Sequence, residues 1–315
     1  MTFLTMFAGA VVALAQTSAG DRVLTTDSEI GLVSFASDGS VAGAGRDGVV
    51  RFWDAKTGAL KRKAAWNKED MAALTLAQGA GSIAAVGRDE AIKVWNLESG
   101  QQKYSVATKA NRARVIAISA DGKSAAAGDR DHNVRVYDLP TGKQKFLVPG
   151  GIGEVYRLAF SPDGQTLASS NSDTDLRIWN TRSGELLRKI EELPVTMFAV
   201  LFSPDGKFLA TAGVDRTVYL WDTKTWTVAR KIKGQPEMIS SMSFSGDGRV
   251  FATGGFSELS NRSPVKVLAW DTASGRVLRT VPAARQVASL AVSADGGWMA
   301  VAEQEKSVRL WKISK

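Results

Sequence analysis

The stretch SPDGKFLATAGVDRTVYLWD, Ser203 to Asp222, decides how this chain is read, because near-copies of it recur along the sequence. Aromatic residues followed by a polar or charged one stand at Trp53-Asp54, Trp95-Asn96, Tyr137-Asp138, Trp179-Asn180, Trp221-Asp222, Trp270-Asp271 and Trp311-Lys312. Successive aromatics lie 42, 42, 42, 42, 49 and 41 residues apart. Six residues before each one stands Asp47, Asp89, Asp131, Asp173, Asp215, Pro264 or Glu305. Further upstream comes an Asp-Gly turn at Asp38-Gly39, Asp121-Gly122, Asp163-Gly164, Asp205-Gly206, Asp247-Gly248 and Asp295-Gly296, blurred in the second copy to Gly79-Ala80-Gly81.

Within one copy the pattern reads as four strands. In the fourth, VYRLAF (155–160), QTLASS (165–170), DLRIWN (175–180) and ELLRKI (185–190) form strands a to d. Asp163-Gly164 and Ser183-Gly184 supply the positive φ that tight hairpins need. The aspartate before strand c can accept N–H bonds within its own turn. The aromatic on strand c offers about 150–250 Å² for burial against a neighbouring sheet. A single four-stranded unit cannot cover both of its faces, whereas seven in a ring can.

A period of 40 to 45 residues ending in Trp-Asp resembles the WD-repeat family. The likeness extends from about Asp21 to the C-terminus. It implies an all-β, seven-bladed β-propeller with four antiparallel strands per blade around a central channel. The last copy stops after its third strand, so DRVLTT (21–26) is expected to complete the seventh blade and close the ring. Many members place a Gly-His pair before strand a. Here the single histidine, His132, stands beside the turn residue Asp131, so no blade can assemble the family's full Asp-His-Ser/Thr-Trp set. Strand b carries a hydroxyl at Ser169, Thr211 and Thr253, but Gly43, Ala85, Ala127 and Val301 elsewhere.

Composition agrees with a folded β protein: 44% hydrophobic and 23% charged residues, with no cysteine. The missing thiols exclude disulfides, thiolate metal sites and a cysteine nucleophile. A net charge of +8 favours anionic partners, and the surplus is spread along the chain without a polybasic tail. Residues 1–15, MTFLTMFAGAVVALA, are uncharged in their side chains, too short to span a bilayer comfortably, and end in Ala13-Leu14-Ala15. They read as a signal peptide lacking a basic n-region, followed by one domain over 16–315. The expected location is therefore periplasmic or secreted, with a cytoplasmic protein as the alternative.

Two motifs carry no chemistry. Gly43-Ala44-Gly45-Arg46-Asp47-Gly48 has the letters of a dinucleotide fingerprint but runs into a strand instead of a helix. Asp129-Arg130-Asp131-His132-Asn133 opens like a calcium loop, yet Val134 stands where that loop needs glycine and Pro140 where it needs a bidentate glutamate. The seven candidate innermost strands, IGLVSF, MAALTL, RVIAIS, VYRLAF, MFAVLF, ISSMSF and VASLAV, contain no Asp, Glu or His. General acid–base chemistry or a metal centre would have to come from loops. No cofactor is expected.

In an a-b-c-d meander the b–c turns and d–a connections share one face, and their variable sequences make it the expected binding face. Arg46, Arg88 and Arg130 precede the turn aspartate in three consecutive blades, forming an arc able to grip carboxylates or phosphates. The competing expectation is that each pairs with a turn aspartate or faces water. His132, Arg216 and Lys306 follow the turn residue in other blades, and the d–a connections add Lys109 and Arg112. The surplus residues of blade six put Glu258, Asn261 and Arg262 on the same rim. The resulting expectation is a noncatalytic, monomeric scaffold for a protein partner, an acidic one among the options, without specific nucleic-acid recognition or a transmembrane span. The alternatives are an extracytoplasmic propeller enzyme with loop-borne groups and a polyanion-binding module.

Overall fold

A computed structural model describes residues 21–313, apart from 37, 46, 66–70, 78–80, 88, 110–112, 192, 194, 258–263, 284–285 and 304–305. Seven four-stranded antiparallel sheets form the blades of a closed propeller. Their innermost strands a are Ile30–Phe35, Met71–Ala77, Val115–Ile118, Val155–Phe160, Met197–Phe202, Met238–Phe244 and Val287–Val292. Blade four runs Val155–Phe160, Thr166–Asn171, Leu176–Asn180 and Leu186–Ile190, as its sequence predicts to within a residue. The strand-c aromatics Trp53, Trp95, Tyr137, Trp179, Trp221, Trp270 and Trp311 are all buried. They belong to apolar clusters that join one blade to the next, as where Trp179 packs with Val115, Val134 and Leu158.

Two turn devices explain the repeated phrase. At the a–b turn a serine hydroxyl donates to the aspartate two residues on, in Ser119–Asp121, Ser161–Asp163, Ser203–Asp205, Ser245–Asp247 and Ser293–Asp295, at 2.5–2.7 Å. Gly164, at φ 69°, makes the left-handed step that this turn requires. At the c–d turn the residue after the aromatic accepts backbone N–H bonds: Thr57 to Asp54, Thr141 to Asp138, Thr225 to Asp222 and Ser274 to Asp271. The Trp-Asp ending thus joins an inter-blade plug to a turn cap.

Ring closure uses the N-terminal strand. Arg22–Thr25 pairs antiparallel with Ser307–Lys312, Arg22 opposite Leu310 and Thr25 opposite Ser307. Its flanks hold both neighbouring blades. Asp21 meets Arg279 of blade six at 3.0 Å, and Asp27 pairs with Arg51 of blade one. The inner strands are also stitched together: Ser241 and Ser243 accept from Leu290 and Val292, and Ser289 accepts from Val33.

The seven outermost strands, Arg22–Thr25, Leu60–Ala65, Gln102–Ala107, Lys143–Pro149, Leu186–Ile190, Val228–Ile232 and Val277–Ala283, carry twelve Lys and Arg and no Asp or Glu. Charge dispersed along the sequence is therefore gathered by the fold into a belt. Each of these strands has one edge open to solvent, and cations on such edges oppose pairing with another chain. Among the described residues, no helix is long and apolar enough to cross a membrane.

Candidate functional site

The b–c/d–a face is built on a second repeated device. In four b–c turns an acid ends at the same place, beside the residue two before the strand-c aromatic. Asp47 meets Arg51 at 2.5 Å, Asp89 meets Lys93 at 2.6 Å, Asp173 meets Arg177 at 2.8 Å, and Asp215 accepts from the Tyr219 hydroxyl at 2.6 Å. In blade three the sequence singles out Asp131, which is exposed; the buried carboxylate is that of Asp129, 2.9 Å from Arg135. In blade seven Glu303, also at the end of strand b, faces Arg309 at 3.4 Å.

The same carboxylate position is thus reached by two routes. Where the acid comes from the turn, as in blade one, the end of strand b is Gly45, because a Cβ there would lie 2.4 Å from Asp47 Oδ1. Where the end of strand b is itself the acid, Asp129 or Glu303, it fills that space. The strand-c cations were not singled out in the sequence. Their register was the available signal, since Arg51, Lys93, Arg135 and Arg177 recur every 42 residues. These pairs rigidify the rim.

The strand-b hydroxyls behave as their position implies. Trp179 donates to Ser169 and Trp221 to Thr211, both at 3.0 Å, and Trp270 donates to Thr253 at 2.8 Å. In blade six Thr253 passes the bond to Gln235, at 2.7 Å, so a glutamine from the d–a connection stands where the family has histidine. In blade one the hydroxyl has no room, because a Cβ on Gly43 would lie 2.8 Å from the Trp53 ring.

The residue after the turn aspartate has a left-handed backbone at Glu90, His132, Thr174 and Arg216, with φ of 56–63°. Non-glycine residues adopt this region at a cost, and such strain clusters at ligand-contacting surfaces. His132 and Arg216 are exposed on this face, as are Arg130, Lys109 and Lys306. His132 Nδ1 accepts from the Gly153 amide at 3.3 Å. Arg46, Arg88, Arg112, Glu258, Asn261 and Arg262 lie outside the described residues.

A different group stands at the channel mouth. Six inner strands carry a bulge near their start, where the ladder skips Gly31, Ala72, Tyr156, Phe198, Ser240 and Ala288. A bulge leaves its extra residue unpaired and re-aims it, here on the binding face. Two of the six are aromatic. Tyr156 and Phe198 meet edge to face with centroids 5.5 Å apart, and Phe198 meets Phe256 of blade six at 6.0 Å. All three are half-buried, and Ile152 on the neighbouring d–a connection is 83% exposed.

Beside Tyr156, Arg157 enters the central channel, a space of about 730 Å³ lined by the inner strands. Its Nη1 donates to the Tyr156 carbonyl at 2.7 Å and its Nη2 to that of Ser240 at 3.5 Å. Arg157 is exposed within the channel, and the protein around it lowers the guanidinium pKa below the ordinary arginine value. The inner-strand sequences hide this cluster, because they carry no Asp, Glu or His and an aromatic there reads as core. The signal present was Tyr156 and Phe198 one period apart, at positions small in most other blades.

Among the described residues no group of three or more His, Asp or Glu could hold a metal ion. The family model described as "WD domain, G-beta repeat" matches residues 144–180, 187–222 and 275–312. Each matched segment runs from the outermost strand of one blade through strand c of the next. No curated protein matches the chain.

Proposed function

Because the chain belongs to the WD-repeat family of β-propellers, whose members generally serve as protein-interaction scaffolds, we propose that it is a noncatalytic scaffold binding a protein partner through its b–c/d–a face. The observation that carries this reading is the half-buried row Tyr156, Phe198 and Phe256 beside Arg157. Aromatic residues and arginine dominate binding energy where water is excluded around them. The rigid pairs beneath the rim hold such a surface without a large ordering cost. The opposite face carries short, near-identical Ser-x-Asp-Gly turns and offers little variety for recognition.

The test is affinity capture from host extract by the wild type, by Tyr156→Ala/Phe198→Ala, and by Lys207→Glu on an a–b turn of the opposite face. A protein held by the wild type and Lys207→Glu but lost by the double variant supports the reading. Equal retention by all three overturns it. Arg46→Glu/Arg88→Glu/Arg130→Glu tests separately whether the basic arc contributes. The proposal includes a monomeric, exported protein cleaved after Ala15; residues 1–20 lie outside the described residues. N-terminal sequencing of the mature protein checks this, and a chain still beginning at Met1 sinks it.

A further inference from the structure

We propose that the channel mouth is a carboxylate-recognition site: Arg157 takes an acidic side chain from a partner segment whose adjoining apolar residues pack on Tyr156 and Phe198. This deepens the scaffold reading above and rests on it. Among the described residues lining the channel, the ionisable side chains are Arg114 and Arg157, and none is acidic. Arg114 already has a carboxylate, Glu154 Oε1 at 2.9 Å. Among the described residues, Arg157 has only the carbonyl oxygens of Tyr156 and Ser240 as partners. A guanidinium carries five N–H donors, so most of its capacity is unused.

The surroundings make that cation unusual. The channel walls are mostly Ala, Leu, Val and Ser from seven inner strands, with no acidic side chain among the described lining residues. An anion entering there meets a solvent-facing guanidinium already held in place by two carbonyl oxygens. The geometry favours a carboxylate over a phosphate, because a single fork matches one carboxylate, whereas phosphate recognition gathers several arginines. The aromatic pair favours a peptide over a free small anion, since it offers apolar surface just outside the charge. A channel of this volume admits a side chain and part of its backbone.

The experiment measures binding of the full chain to capped peptides in which one or two glutamates stand among leucine, phenylalanine and serine. Their glutamine twins, glutarate and inorganic phosphate complete the set. The expected result is a glutamate peptide held by the wild type, its glutamine twin released, and affinity reduced about thirtyfold or more by Arg157→Ala. Arg157→Lys keeps the charge without the fork and should lose about fivefold. Melting curves verify that both variants fold. The proposal is overturned if no peptide binds the wild type more tightly than Arg157→Ala, or if glutarate or phosphate competes as well as the peptide. Capture of a partner that is lost with Phe198→Ala but indifferent to Arg157→Ala would leave the scaffold reading standing and remove this one.

Discussion

Asp129 and Arg135 form an ion pair of 2.9 Å whose carboxylate is completely buried, at the place that Asp47 and Arg51 fill in blade one. The acid comes from the end of strand b in one blade and from the b–c turn in the other. What recurs is the location of the charge, not the residue number within the repeat. Removing one partner of such a pair strands the other in low dielectric. Asp129→Ala should therefore cost about 3–5 kcal/mol in urea unfolding. Asp131→Ala, at the position the repeat itself highlights, should cost under about 1 kcal/mol because its side chain is exposed. Equal losses would show that the two carboxylates share the role.

Blade six offers a second test. Trp270, Thr253 and Gln235 form a buried chain of hydrogen bonds. Thr253→Val keeps the shape and leaves the indole N–H and the glutamine oxygen without their shared partner, at a cost of about 2–4 kcal/mol. Ser169→Ala in blade four strands only the Trp179 N–H and should cost about 1–3 kcal/mol. Equilibrium denaturation of both variants checks the order, and a larger loss at Ser169 would contradict the chain.

Ring closure by Arg22–Thr25 predicts that deleting residues 16–27 exposes the edge of Ser307–Lys312 and empties the place of Leu24, which is 1% exposed. Burial of that leucine alone is worth about 2–5 kcal/mol. The truncated chain should melt well below the full one and self-associate on size exclusion. An unchanged Tm would count decisively against closure by this strand.

Acid should unfold the protein through its turns. Hydrogen bonds from Thr57, Thr141, Thr225 and Ser274 hold Asp54, Asp138, Asp222 and Asp271 below the ordinary aspartate value of 3.8. The Arg51 hydrogen bond carries Asp27 down to about 2. A folded pKa below the unfolded one gives stability that is complete above the unfolded value and lost as pH falls through the folded one. Tm should therefore be insensitive to these groups above about pH 5 and decline progressively below about pH 4. A Tm that stays level down to pH 2 would show that the turn carboxylates contribute nothing.

The sequence determined the seven-fold architecture, because the aromatic plug, its turn-capping partner and the Asp-Gly hairpins are local devices that must recur wherever a blade is built. It also pointed to closure by DRVLTT, which the pairing of Arg22–Thr25 with Ser307–Lys312 shows. Tertiary structure alone decided that Asp129 substitutes for a turn acid, that Gln235 stands in for histidine, and that dispersed lysines and arginines become an outer belt. It alone brought Tyr156, Phe198 and Phe256 together across three blades, with Arg157 reaching from blade four toward blade six. The physical reason is range. Turn chemistry acts within a few residues, and its pattern is written along the chain. The channel mouth joins side chains 42 or more residues apart, and their distances exist only once the ring has closed.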